Sequence, residues 1–144
     1  MDSKILWLSA LLLATTASAQ DQRTGTLKAM TGDVRLGQGD SRHVAQEGGG
    51  LQQTDRIVTG PDASVTFTLK DGTIISVGPN STLELTKVKF DTTTQEGNLM
   101  LSLLQGTIRV VTGWLSKLHP EQVKVITPTS VVGVRGTDFI VEVP

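Results

Sequence analysis

Arg135 is the side chain in this sequence whose surroundings most suggest binding chemistry. It lies in the segment Gly133-Val134-Arg135-Gly136-Thr137. Glycines let the neighbouring backbone approach whatever the guanidinium holds, and the planar guanidinium can clamp a carboxylate through two parallel hydrogen bonds. One interpretation is therefore a binding site for a carboxylate of a ligand or partner. The alternative is an internal ion pair, with Asp138 or Asp71, that fixes a turn.

Metal-ligating and catalytic side chains are sparse. The two histidines, His43 and His119, lie far apart and the sequence has no cysteine, so the spacing of a zinc site is missing. The run Asp40-Ser41-Arg42-His43 contains the residue types of a hydrolytic triad, but neighbours in one glycine-flanked loop do not have the arrangement that a nucleophile needs. We therefore expect no metal, no cofactor and no catalytic residues.

Trp114 is the second candidate for a binding residue. The segment Trp114 to Leu118 predicts a single helical turn, with Trp114, Leu115 and Leu118 on one side and His119-Pro120 at its end. Exposed together, the three apolar side chains would form an anchor for a partner protein. Alternatively, they cap one open end of a β core. Both interpretations stay open from the sequence.

The segments that must position these residues are typical of short strands joined by turns. Val65 to Leu69 and Thr73 to Val77 are extended runs rich in β-branched residues, and Lys70-Asp71-Gly72 separates them. Because glycine accepts a positive φ without strain, Asp-Gly between two such runs predicts a hairpin with a type I′ turn. We interpret Asp71 and Gly72 as structural turn residues.

Further turn residues punctuate the rest of the chain. Pro79-Asn80-Ser81 predicts a turn, and Pro128 ends the predicted strand Val123 to Ile126 because proline cannot donate to a strand ladder. The glycine-flanked stretch 37–50 reads as a polar loop. Short strands at close spacing without a long helix predict one all-β domain, either a solenoid-like or a sandwich-like roll.

The N-terminal residues predict an export signal. An apolar run from Ile5 to Ala14 follows Lys4, and Ala17-Ser18-Ala19 fits the pattern that signal peptidase cuts. The run is ten residues long, whereas roughly 20 are needed to span a bilayer. We therefore expect residues 1–19 to be a cleavable signal peptide and residues 20–144 to form the domain. The protein is expected to be periplasmic or secreted, without a permanent membrane anchor.

Composition narrows the classes of partner. The formal net charge is −1 over 144 residues, with both signs spread through the chain, so nucleic acid is not an expected partner. With no cysteine, the exported domain must be held by its core and its strand ladders. The aromatic content is 3% with no tyrosine, which disfavours a surface built to stack on sugars.

Two stretches resemble the FecR-type domain. The first runs from Gly50 to Ser81 and includes Asp55-Arg56-Ile57-Val58-Thr59-Gly60. The second runs from Leu104 to Phe139, and its most specific part is Thr127-Pro128 followed by Gly133-Val134-Arg135-Gly136-Thr137. The resemblance implies a β-rich exported module that receives a signal through contact with another protein.

The same resemblance marks a difference from the founding members. Those proteins carry the module behind a membrane helix and a cytoplasmic segment that controls a sigma factor, and neither is expected here, so the chain resembles the stand-alone exported members. The leading hypothesis is a non-enzymatic periplasmic binding or signalling module that contacts another envelope protein through a sheet edge or the Trp114 turn. The alternative is a module of the envelope that binds cell wall or polysaccharide. The sequence leaves the oligomeric state open.

Overall fold

The computed structural model describes residues 23–134 and 137–144. The predicted signal peptide, Arg135 and Gly136 lie outside the described residues. The described chain is built from strands and one short helix, α1 (Trp114–Leu118), which is followed by a 3-10 turn (Pro120–Gln122). The predicted all-β class is confirmed. The strands are β1 (Gly25–Thr31), β2 (Val34–Gln38), β3 (Ser41–Val44), β4 (Gly50–Leu51), β5 (Arg56–Thr59), β6 (Ser64–Leu69), β7 (Ile74–Val77), β8 (Thr82–Asp91), β9 (Glu96–Val111), β10 (Val123–Ile126), β11 (Val131–Gly133) and β12 (Asp138–Val143).

The strands form one curled sheet whose two halves share β9. Sheet A has the order β4-β1-β6-β7-β9-β12, and sheet B has the order β3-β2-β5-β8-β9-β10-β11. Every pairing is antiparallel except that of β10 with β9. The predicted roll is thus one curled, mostly antiparallel sheet around a shared core.

Strand β9 can belong to both sheets because it bends at Gly106. Residues 96–105 of β9 pair with β8, and residues 106–111 pair with β7 and β12. Gly106 has a φ of 94°, and a Cβ there would lie 2.0 Å from Ser81 Oγ. Although Gly106 interrupts two extended runs of the sequence, β9 is one continuous strand that passes from one sheet into the other.

The hairpin between β6 and β7 forms as predicted, but the type I′ turn is wrong. The N–H of Gly72 donates to the carbonyl oxygen of Leu69 at 3.0 Å, and the N–H of Leu69 donates to the carbonyl oxygen of Thr73 at 2.8 Å. The loop therefore has three residues, Lys70 to Gly72, and of these only Gly72 has a positive φ. A three-residue loop with glycine in the left-handed position twists with the strands as well as a type I′ turn does.

The stretch 37–50 is also not simply a loop. It contains β3, which pairs with β2 in the register Gln38↔Ser41 to Arg35↔Val44. All four side chains of β3 are exposed, so no apolar alternation marks this strand in the sequence. Exposure on both faces is what an edge strand permits.

Inward side chains of both sheets form a single core. Its largest fully buried members are Phe67, Leu27, Leu51, Ile57, Ile75, Leu83, Leu85, Leu99, Leu101, Leu103, Ile108 and Leu115. Alternation along β6, where Val65, Phe67 and Leu69 are buried, supplies this core by the two-residue period of a strand. In the described part of the chain, no helix has the length and apolar character needed to cross a membrane.

Candidate functional site

The glycine-arginine motif can be placed only at its two ends. Gly133 ends β11 and is exposed, and it lines an open groove of about 500 Å³ together with Pro120, Glu121 and Val134. The carbonyl oxygen of Thr137 accepts the N–H of Thr112 at 2.9 Å. The role proposed for Arg135 thus stays a prediction.

Both carboxylates considered as partners of Arg135 are held by other residues. Asp138 accepts two hydrogen bonds from the Arg109 guanidinium, at 3.0 and 2.6 Å. These bonds, with the charge of the guanidinium, lower the pKa of the Asp138 carboxyl. Asp71 accepts the N–H of Thr73 at 2.9 Å and the Thr73 hydroxyl at 2.8 Å.

Asp71 lies at the first of two buried polar junctions. Besides the two bonds to Thr73, its carbonyl oxygen accepts the N–H of Trp114 at 3.0 Å. The N–H of Gly113 donates to the Thr73 hydroxyl at 3.1 Å. These bonds tie the Asp71-Gly72 turn to the start of α1, so the geometry fits a structural role for both turn residues.

The turn Pro79-Asn80-Ser81 forms the second junction. The Ser81 hydroxyl donates to the carbonyl oxygen of Pro79 and accepts the N–H of Thr107, each at 3.0 Å. The Thr59 hydroxyl donates to the carbonyl oxygen of Gly78 at 2.6 Å and accepts the N–H of Ser81 at 2.9 Å. Asn80 has a φ of 52°. The junction joins β5 to the bend of β9, again a structural position.

Pro128 sits in the turn between β10 and β11. Thr127 and Ser130 close that turn, because the N–H of Thr127 donates to the carbonyl oxygen of Ser130 at 2.8 Å and the N–H of Ser130 donates to the Thr127 hydroxyl at 3.0 Å. The proline therefore stands where no ladder hydrogen bond is required of it.

Trp114 packs inward rather than standing free. Its ring centroid lies 6.0 Å from that of Phe90, at an interplanar angle of 67°, which is an edge-to-face contact. Leu115 is fully buried, and Leu118 is 49% exposed. This geometry fits the capping interpretation, and it leaves Leu118 as the exposed apolar side chain of the helix.

Catalytic geometry does not assemble around the histidines. Ser41, His43 and Asp55 line one groove of about 390 Å³. The Asp55 carboxylate accepts the N–H of Gln52 at 2.8 Å, and no hydrogen bond links His43 to Ser41 or Asp55 within residues 23–134 and 137–144. Across these same ranges, no three His, Cys, Asp or Glu side chains group closely enough to hold a metal ion.

A groove of about 610 Å³ lies beside the β8–β9 hairpin. Its Asp91 carboxylate accepts the N–H groups of Thr94 and Thr93, and these bonds lower the pKa of Asp91. Four basic and two acidic side chains line the groove: Arg23, Lys70, Lys87, Lys89, Asp91 and Glu96.

The open edge of β12 is the surface that the sequence did not single out. Four strands end the two sheets: β3, β11, β4 and β12. Of these β12 is the longest, with six residues. It pairs with β9 on one side, and no other strand of the described chain pairs with it. Its unpaired side is a ready template for another strand.

Hydrogen-bond parity identifies which backbone groups face that open side. The N–H of Thr112 donates to the carbonyl oxygen of Thr137, so the backbone groups of Thr137 face β9. In an antiparallel pair this direction alternates from residue to residue. The backbone groups of Asp138, Ile140 and Glu142 therefore point away from β9, to the open edge.

The side chains of the same three residues lie on the outer face of sheet A. Ile140 is 67% exposed and stands directly opposite Arg109. Arg109 in turn stands opposite Ser76. On the inner face, Phe139, Val141 and Val143 are half-buried against the core. The strand thus combines an exposed apolar residue, two acidic residues and unpaired backbone at one edge.

The comparisons with known proteins give one match. No curated protein and no solved structure matches the chain. A family model described as FecR protein matches residues 55–143, which run from the start of β5 through β12. The matched segment includes both polar junctions and the β12 edge. Because the match covers more than half of its length, this chain belongs to the FecR protein family.

Proposed function

We propose that this protein is a non-enzymatic periplasmic or secreted module that signals by binding another envelope protein at the open edge of β12. FecR proteins are a regulatory and signalling family, which supports a sensor role. The single observation that carries the proposed mode is the six-residue edge strand with Ile140 exposed. A partner strand added there would satisfy the backbone groups left open and cover that side chain.

The same surface is favoured over the Trp114 turn. The ring of Trp114 packs edge-to-face against Phe90, and Leu115 lies in the core. In this five-residue helix Leu118 is the one exposed apolar side chain, which makes a small anchor. The β12 edge offers both main-chain hydrogen bonds and side-chain contact, and these two kinds of contact supply affinity and specificity in strand addition.

Binding of sugars is less well supported by the residues on the surface. Polysaccharide modules stack sugar rings on exposed aromatic side chains. Here Phe67 is fully buried, and the rings of Phe90 and Trp114 pack on each other. The contact with a protein partner is therefore the function that the described residues support best.

Site-specific photo-cross-linking in the native host tests this proposal. A photoreactive amino acid replaces Ile140 in one strain and Leu118 in a second, matched strain; both positions are exposed and apolar. We expect a discrete protein adduct from position 140 and none from position 118. An adduct from position 118 alone would move the contact to the helix, and absence of adducts from both positions would contradict protein binding. Fractionation of the same cells shows whether the protein is exported.

A further inference from the structure

We infer that the partner supplies a β-strand with a basic side chain opposite Glu142 and an apolar side chain opposite Ile140. This inference rests on the proposed docking at β12. It is carried by the register of β12 on β9, the burial along β12 and the position of the charges on its outer face.

The backbone of β12 fixes how a strand can be added. Asp138, Ile140 and Glu142 direct their N–H and C=O groups to the open edge, as the bond between Thr112 and Thr137 requires. In an antiparallel addition, these three residues form the hydrogen-bonded pairs with the partner. The partner residues opposite them then have their side chains on the outer face of sheet A.

The charge requirement differs between the two acidic residues. Asp138 already accepts two hydrogen bonds from Arg109, so its charge is compensated within the domain. Glu142 stands opposite Thr107 and forms no ion pair with any residue of the described ranges. A basic side chain on the partner opposite Glu142 would neutralise the charge of that carboxylate. The partner residue opposite Asp138 can be neutral, because Arg109 already neutralises Asp138.

The apolar requirement comes from both faces of β12. Ile140 is 67% exposed between the two acidic residues, so an apolar side chain opposite it removes that surface from water. On the inner face, Phe139, Val141 and Val143 are only half-buried. The partner residues beside them must also be apolar to extend the core. Read from its N-terminus, an antiparallel partner strand therefore carries a basic residue opposite Glu142, three apolar residues, and a neutral residue opposite Asp138.

A second copy of this chain does not fit the pattern. A two-fold antiparallel pairing of β12 with itself, centred on Ile140, would set Asp138 of each copy opposite Glu142 of the other. Like charges directly opposite each other destabilise a strand pair. A strand with a basic residue opposite Glu142 therefore fits this edge better than a second copy of β12 does.

Titration with short peptides tests the inference on the full chain. The probes carry Lys-Val-Ile-Val-Thr for antiparallel addition and Thr-Val-Ile-Val-Lys for parallel addition, each flanked by Gly-Ser. Matched probes replace the lysine by glutamate. NMR shifts of the β12 amides give the affinities. We expect one lysine probe to bind about fivefold more tightly than its glutamate counterpart, from the size of cross-strand charge pairs.

Charge reversal separates specific pairing from general attraction. In Glu142→Lys, the preference should invert, so that the glutamate probe binds more tightly. Glu121→Lys is the control, because Glu121 is an exposed acid on the 3-10 turn rather than on β12. Its preference should stay that of the unchanged protein.

Two outcomes would overturn the inference. The first is no shift of the β12 amides with any probe, and the second is a preference that does not invert in Glu142→Lys. If either occurs while position 140 still gives a cross-linked adduct, the docking edge stands and the partner chemistry is wrong. Absence of that adduct counts against the docking edge itself.

Discussion

Replacing Gly106 with alanine tests the structural reasoning about the bend of β9. Gly106 has a φ of 94°, and a Cβ there would lie 2.5 Å from the Cα of Ser81 and 2.0 Å from its Oγ. The contact with Cα cannot be relieved by rotating a side chain. Gly72 provides the matched control, since it has a φ of 85° but no atom within 4 Å of the added Cβ.

The two substitutions share one cost and differ in the other. A non-glycine residue held at such a φ costs about 1–3 kcal/mol. Overpacking of a close contact costs about 1–3 kcal/mol more. We therefore expect Gly72→Ala to lower the free energy of unfolding by about 1–3 kcal/mol, and Gly106→Ala to lower it by about 2–6 kcal/mol, the sum of both costs.

Urea unfolding followed by circular dichroism measures both free energies. The dependence of the free energy on urea should be the same in the two variants, because the surface exposed on unfolding is unchanged. The opposite result is a Gly106→Ala protein that is no less stable than Gly72→Ala. It would mean that the contact with Ser81 does not constrain the bend that joins the two sheets.

Three further predictions address the second junction, the cap and the edge. Ser81→Ala should lower the free energy of unfolding by about 1–3 kcal/mol, because it leaves the partly buried N–H of Thr107 without its acceptor; thermal unfolding measures this. Leu115→Ala should cost about 2–5 kcal/mol as a core truncation, whereas Leu118→Ala at 49% exposure should cost much less in the same assay. NMR titration should find the pKa of Asp138 below the usual carboxyl range, and Arg109→Gln should return it there, because the Arg109 hydrogen bonds lower it. Since the folded pKa is the lower one, the stabilisation from this pair is present above the unfolded pKa and is lost as the pH falls through the folded pKa.

Local signals in the sequence were sufficient for the elements whose ends are marked by turn residues. The helix Trp114–Leu118 and the strand Val123–Ile126 have the predicted bounds, because His119-Pro120 and Pro128 stop them. The bend of β9 was not predictable in the same way. A glycine between two apolar runs marks a turn as readily as a bend, and only the packing of Ser81 against it decides.

In the candidate site, too, the turn residues could be predicted from the local sequence, whereas the edge strand could not. Turn chemistry at Asp71 and Ser81 could be predicted from residue type, and the structure gives each a set of buried partners. The β12 edge could not, because Asp138 to Val143 alternates like any half-buried strand. The position of β12 at the edge follows from its pairing with β9. The ion-paired residues Arg109 of β9 and Asp138 of β12 are 29 residues apart in the sequence. Pairing over that distance leaves no mark in the strand itself.

Backbone amide exchange along β12 tests the docking edge most directly. In the free protein, the amides of Phe139 and Val141 should exchange slowly, and those of Ile140 and Glu142 should exchange fast, because only the first two face β9. With the antiparallel or parallel lysine probe at saturation, we expect the amides of Ile140 and Glu142 to exchange slowly as well. Exchange at these two amides that stays fast in the saturated complex would contradict strand addition at β12.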